Sequence, residues 1–190
     1  MQNDRNQPED EVKMPILSTR RLTLSPCRPE DRDDFIALEQ DPEVMRFLNG
    51  GRPVGRAESD PDADFLMPRG DEPHVWTARH TADGGFVGWF CLWPDDEASA
   101  ELGYRLRRAE WGKGLASEGA SALIRWGFES ALYDRITATT MAVNLASRRV
   151  MEKIGLRHAR TVHADYADPI AGAELGEVWY EARRSEWRGE

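Results

Sequence analysis

The chain of 190 residues holds only two cysteines, Cys27 and Cys91, and no apolar run long enough to cross a bilayer. Two cysteines cannot build a disulfide framework. Their spacing, and that of His74, His80, His158 and His163, fits no metal-ligand pattern, so we expect packing cysteines and no metal. The missing apolar run excludes a helical membrane anchor, and the polar, acidic start of the chain lacks the basic-then-apolar order of an export signal. A cytoplasmic protein without membrane contact is the expectation. Excess positive charge is lacking too. Lys and Arg number 25 against 34 Asp and Glu, a net charge of −9, and a phosphate backbone is held by the opposite balance, so no nucleic-acid partner is expected. An acidic surface suits a cationic acceptor, though it also serves solubility. Repeats and low-complexity tracts are absent. The length suits one domain, which we place at 16–190 behind a flexible tail at 1–15.

What is present is a run that can hold an anion. Trp111-Gly112-Lys113-Gly114-Leu115-Ala116-Ser117 opens directly into a helical pattern. Two glycines let the backbone approach a bulky group, and the first N–H groups of a helix have no internal partners. The helix dipole adds partial positive charge there, so phosphate or pyrophosphate is the natural occupant. Neither common nucleotide fingerprint fits. A Walker A loop needs a hydroxyl residue after its lysine, and Lys113 is followed by Gly114; the dinucleotide fingerprint needs a third glycine, and Leu115-Ala116-Ser117 supplies none.

The surroundings read as a mixed α+β sheet. Leu22 and Leu24 alternate with polar residues as a strand, and Pro29 starts a helix through Phe35, Ile36 and Leu38. Asn49-Gly50-Gly51-Arg52-Pro53 breaks the chain. Gly51 to Pro61 reads as a mobile loop before a short helix ending near Met67. His74–Arg79 and Phe86–Leu92 flank Asp83-Gly84-Gly85 as a hairpin. Ser99–Leu106 alternates as a strand, with Gly103 marking either a bulge or a close backbone approach. The helix after the cradle presents Leu115, Gly119, Ala122, Leu123 and Trp126 to the sheet. Arg135–Thr140 is a further strand, and the following helix from Asn144 stops at Gly155. Trp76, Trp89, Trp93 and Trp126 read as packing residues.

In order along the chain, Glu101-Leu102-Gly103-Tyr104, Trp111 to Glu118, and Asn144-x-x-Ser147-x-x-Val150-x-x-Lys153-x-Gly155 resemble the GNAT N-acetyltransferase superfamily, and within it the RimJ/RimL-like branch. That branch acetylates protein N-termini and small amines. The family signature [QR]-x-x-G-x-[GA] falls on Trp111 to Ala116, with Trp111 departing at the first position as it often does in this branch. The resemblance runs from about Arg20 to Trp187, including a first strand and turn at Ser18–Asp31 and a last strand at Gly176–Ala182. It implies a mixed, mostly antiparallel central sheet flanked by helices and splayed between the strands around Glu101 and Thr137. It also implies acetyl-CoA as cofactor, with the pyrophosphate on Trp111, Gly112, Lys113, Gly114, Leu115, Ala116 and Ser117, and with Leu106 and Asn144 as further contacts.

Acetyl transfer to an amine needs an uncharged amine, stabilisation of an oxyanion and a proton for the departing thiolate. Glu101 is the candidate base, provided burial raises its pKa; the alternatives are that it pairs with an arginine across the sheet or only orients the amine. Many relatives place a tyrosine on the second helix as the acid, and the matching residue here is Met151. The role then falls to Ser147, one turn after Asn144, by hydrogen bonding to the sulfur or relaying a proton. Asn144 also suits the helix cap. Arg105, Arg107, Arg108, Arg148 and Arg149 either help hold a polyanion or form a solvated face, and His163 and Tyr166 lie in a loop near the acceptor. The sequence thus reads as an acetyl-CoA-dependent N-acetyltransferase acting on a primary amine, a protein N-terminus or a small molecule. The alternative is an inactive acyl-CoA-binding sensor of the same fold. Exposed apolar strand residues are compatible with a homodimer.

Overall fold

The computed structural model describes residues 14–54 and 70–188. Its frame is an eight-stranded sheet in the order β1-β2-β3-β4-β5-β6-β8-β7. In chain order the strands are β1 (Leu17–Ser18), β2 (Leu22–Pro26), β3 (Val75–His80), β4 (Phe86–Pro94), β5 (Ser99–Leu106), β6 (Arg135–Met141), β7 (Arg157–Val162) and β8 (Glu177–Arg183). The helices are α1 (Arg32–Glu39), α2 (Pro42–Met45), α3 (Leu115–Glu129) and α4 (Leu145–Lys153). Every strand pair is antiparallel except β5 and β6. The mixed α+β class and the mostly antiparallel sheet are therefore as the sequence indicated.

The β5–β6 pair is where the sheet opens. Parallel pairing holds only for Ser99↔Arg135, Ala100↔Ile136 and Glu101↔Thr137. Beyond that point β5 runs on to Leu106 beside β4, while β6 runs on to Met141 beside β8. The splay at Glu101 and Thr137 is thus present.

Strand alternation sorts the core into two layers. On one face Trp76, Phe90, Leu92, Leu102 and Ile136 pack beneath α3 and α4 in the larger cluster. On the other, Phe35 and Leu38 of α1 and Val44 of α2 pack on Val75, Trp89 and Cys91. Three of the four tryptophans named above are buried, and Trp93 packs on this second cluster. α3 comes close to the sheet because a Cβ at Gly119 would lie 2.4 Å from the Phe90 ring. Its buried residues extend to Ala120, Ile124 and Phe128, and the small Ala122 sits at the margin, half-buried.

Several sequence readings are refined. Pro29 opens a 3-10 turn, and the α-helix begins at Arg32. Register between β4 and β5 is unbroken, so Gly103 answers a close approach: a Cβ there would meet Cys91 Sγ at 2.6 Å. Arg157–Val162 is a strand at the sheet edge, exposed along its whole length. Met14 and Pro15 lie against β3, His74 N–H donating to Met14 Sδ and Trp76 Nε1 to the Pro15 carbonyl. The loop and short helix read between Gly51 and Met67 fall mainly outside the described residues, as does most of the segment read as a tail. Among the described residues one exposed large hydrophobic, Val162, lies in a strand. No described helix is long and apolar enough to cross a membrane, and the described residues contain no cluster of three potential metal ligands.

Candidate active site

A cavity of about 780 Å³ occupies the opening between β5 and β6. Its walls come from both sides of the sheet. Glu101 and Tyr104 are three residues apart on β5, so their side chains leave opposite faces, and both line it. The cavity therefore passes through the plane of the sheet.

On the α3–α4 side lies the loop Trp111–Ser117. Gly112 and Gly114 have φ of +72° and +77°, values that favour glycine. A Cβ at Gly112 would meet nothing within 4 Å, so the loop is open there. Gly114 is the N-cap of the 15-residue α3 and no side chain caps it. The N–H groups of the first turn are therefore left for a ligand. Trp111, Gly112, Gly114, Leu115, Ala116 and Ser117 all line the cavity. Lys113 does not; its Nζ pairs with Glu110 Oε2 at 3.1 Å. Trp111 earns its place by a bond of its own, Nε1 donating to the Leu106 carbonyl at 2.8 Å. That bond ties the loop to the end of β5 and consumes the Leu106 carbonyl. Because Arg107 N–H bonds Val87 O, ladder alternation turns the Tyr104 and Leu106 N–H groups toward the gap.

The second helix contributes Asn144 and Ser147. Asn144 is the cap of α4, its Oδ1 accepting from Ser147 N–H at 3.3 Å while its Nδ2 donates to Thr140 Oγ1 at 3.0 Å. Ser147 Oγ lies 2.9 Å from the Tyr104 hydroxyl, which also reaches the Ser147 carbonyl at 3.2 Å. Burial pushes the Tyr104 phenol up to about 12, against a smaller opposing effect of the Ser147 hydrogen bond. Met151, one turn beyond Ser147, is buried and brings no polar atom.

Across the sheet, Glu101 is half-buried, and its Oε1 accepts from Thr139 Oγ1 at 2.9 Å. No arginine pairs with it among the described residues. Burial raises its pKa, and the charges of Asp95 and Glu177 add to this, while the Thr139 hydrogen bond works the other way. Trp89 and Arg105 line the same cavity, the guanidinium lying 5.3 Å from the indole centroid. Of the arginines singled out from sequence, Arg105 and Arg149 line the cavity, whereas Arg107 and Arg108 are exposed and Arg148 bonds Tyr180 and the Ala142 carbonyl. Tyr166 joins the lining, and His163 does not.

Sequence reasoning missed Thr139, the role of Tyr104, and Glu177. Tyr104 stood inside the quoted motif, but its distance of three from Glu101 places it on the wrong face for a site confined to one side of a sheet.

Residues 21–157 match the family model described as an acetyltransferase (GNAT) domain. The chain belongs to the GNAT acetyltransferase family. A relative from Aspergillus fumigatus, FsC-acetyl coenzyme A-N(2)-transacetylase, is 37% identical over 183 residues, covering 91% of this chain and 78% of its own. The GNAT fold recurs in a Bacillus anthracis acetyltransferase at a TM-score of 0.73 and 22% identity, covering 90% of this chain and 99% of the other. It recurs also in the microcin C7 self-immunity acetyltransferase MccE, crystallised with acetyl-CoA and AMP, at a TM-score of 0.69 and 16% identity over 87% and 93% of the two chains. This GNAT protein is an N-acetyltransferase that uses acetyl-CoA. The uncapped helix start and the open glycine loop fit the diphosphate of that cofactor.

Proposed function

We propose that this GNAT enzyme acetylates the primary amine of a small cationic molecule, which enters from the Glu101 side of the sheet. The observation that carries the reading is the Glu101 carboxylate at the opening, raised in pKa by burial and, among the described residues, in no ion pair with an arginine. Glu177 lies along the same cavity, so the acceptor side is lined by carboxylates at the point where an ammonium must dock. The Aspergillus relative is named for transfer to an N(2) nitrogen, which agrees with an amine acceptor. The free thiols Cys27 and Cys91 suit the reducing cytoplasm.

Acetyl-CoA supplies the acetyl group as a thioester. The Trp111–Ser117 loop and the first turn of α3 bind its diphosphate with backbone N–H groups. Tyr104 and Leu106 hold their own N–H groups at the gap, where an oxyanion would be met. Thr139 fixes one oxygen of Glu101, and the other, Oε2, takes the proton from the amine. A raised pKa brings the carboxylate nearer to the pH at which a base is efficient. On the opposite face Tyr104 and Asn144 orient Ser147, whose Oγ–H hydrogen-bonds the departing thiolate sulfur while solvent supplies its proton, as suits a thiol of pKa about 8.5 at neutral pH. Tyr104, its phenol raised to about 12 by burial, keeps its proton and serves to aim Ser147.

Calorimetric titration with CoA, followed by thiol release on adding diamines, amino acids and short peptides, tests the reading. Amine-dependent release that falls about 10²- to 10⁴-fold in Glu101→Gln supports it. CoA binding without release for any amine would favour the sensor of the same fold.

A further inference from the structure

Arg21 and Glu118 meet across 97 residues of sequence. Glu118 stands in the first turn of α3, immediately behind the cradle. Its Oε1 accepts from the Thr19 hydroxyl at 2.6 Å and from the Arg21 backbone N–H at 2.7 Å, and its Oε2 accepts from Arg21 Nε at 2.6 Å. The same arginine sends Nη1 to the carbonyl oxygen of Lys113 at 2.9 Å. One side chain from the turn between β1 and β2 thus grips both the cradle loop and the helix that follows it.

We propose that Arg21 and Glu118 are positioning residues of the donor site, a clamp that sets the peptide plane between Lys113 and Gly114 and neutralises a carboxylate at the diphosphate-binding end of α3. The proposal rests on the reading of Trp111–Ser117 as the diphosphate cradle and adds to it the device that shapes the cradle.

Two physical arguments support the clamp. In a trans peptide the C=O and the following N–H point to opposite sides. With Lys113 O held by Arg21, the Gly114 N–H is turned away from Arg21, and Gly114 lines the cavity. The second argument is electrostatic. A carboxylate in the first turn suits the helix dipole but repels a bound diphosphate. Burial pushes the Glu118 pKa up, and the hydrogen bonds from Thr19 and Arg21 outweigh it, so the net shift is downward and the carboxylate stays charged. Arg21 sits against it and cancels that charge locally. The side chain of Glu118 is only 17% exposed, so this pair is shielded more than an ordinary surface pair. Arg21 is thereby engaged with Glu118 and Lys113, and acts on the diphosphate through them.

The test compares Arg21→Lys and Glu118→Gln with the parent enzyme. CoA affinity is read by calorimetry, donor use by the ratio of kcat/KM for acetyl-CoA to that for S-acetylpantetheine, and folding by thermal melting. We expect CoA Kd to rise about tenfold in Arg21→Lys, roughly the worth of one charge-assisted hydrogen bond, and the donor ratio to fall by a similar factor; in Glu118→Gln, loss of the repelling charge offsets part of the lost grip, and the rise is about two- to threefold. Should Arg21→Lys fail to fold, Glu118→Gln carries the comparison. Equal losses with both donors would overturn the clamp, since a general structural defect does not distinguish them. Parent-like CoA affinity in folded variants would overturn it as well. A parent enzyme that does not bind CoA would instead overturn the cradle reading on which the clamp rests.

Discussion

Thr139 Oγ1 donates to Glu101 Oε1 at 2.9 Å from a strand that has just parted from the strand carrying Glu101. The bond bridges the opening at its narrow end and holds the carboxylate there while burial raises its pKa. Removing it with Thr139→Val takes away the hydrogen bond that lowers the pKa. The acidic limb of kcat/KM against pH should then move further up, with the limb of the parent already above the ordinary glutamate value of about 4.3. A limb that stays in place would remove Thr139 from the site.

The same shift sets the sign of a stability change. Glu101 binds its proton more tightly in the folded state than in the unfolded chain. Its contribution is therefore fully present below the unfolded value and is lost as pH rises through the folded one. Glu101→Gln, which carries no charge, should melt higher than the parent at pH 7, with the difference vanishing toward pH 4. A variant inactive yet more stable at neutral pH would record both roles; a lower Tm at pH 7 would contradict the desolvation argument.

The Tyr104–Ser147 pair predicts a non-additive series. Ser147→Ala removes the hydroxyl we assign to the sulfur, and Tyr104→Phe removes the group that aims it. Each should lower kcat about tenfold, the worth of a hydrogen bond made in the transition state, and the double variant should lose little more than Ser147→Ala alone. Fully multiplied losses in steady-state rates would show the two acting separately.

Gly119→Ala tests the packing beneath the cradle. The added Cβ would sit 2.4 Å from the fully buried Phe90 ring, which in turn lies 6.1 Å from the Tyr104 ring. Overpacking of this kind costs about 1–3 kcal/mol, and Tm should drop by about 2–4 °C for each of them. An unchanged melt would mean that Phe90 can move aside.

Asp168 lines the cavity and pairs with Arg52 at 2.7 Å, joining the turn after α2 to the loop after β7. Both side chains are exposed, so the pair adds at most about 1 kcal/mol to stability. Its effect should be read in the acceptor: Asp168→Asn raises acceptor KM about two- to fivefold, as loss of such a pair allows, and leaves KM for acetyl-CoA as it was. The reverse pattern would assign these loops to the donor side.

Local pattern carried much of this fold. The Asp83-Gly84-Gly85 hairpin, the helix behind Gly114 and the Asn144 cap are each written in a few adjacent residues. The opening at Glu101 came through the resemblance to the family, since nothing in a single strand says where its neighbour leaves it. The contacts that complete the site span 43 residues for Tyr104 and Ser147 and 38 for Glu101 and Thr139, and no periodicity marks such pairs. Met151 shows the same limit. From sequence it looked like a missing acid; in the structure Ser147, one turn before it on the same helix, is joined by the Tyr104 hydroxyl from β5.

The grip of Arg21 on α3 also has a bearing on how the molecule comes to be made. Most of the sheet can assemble from neighbouring hairpins, but the donor loop is finished only when a turn near the beginning of the chain docks on a helix about halfway along it. Closing so long a loop is slow relative to local pairing. During refolding, competence to capture CoA should therefore lag the burial of Trp89 between β3 and β5, and a fluorescence change complete before any CoA signal would mark the interval. Ligand added early would find most of a sheet already built and a receptor still waiting for the turn that closes it.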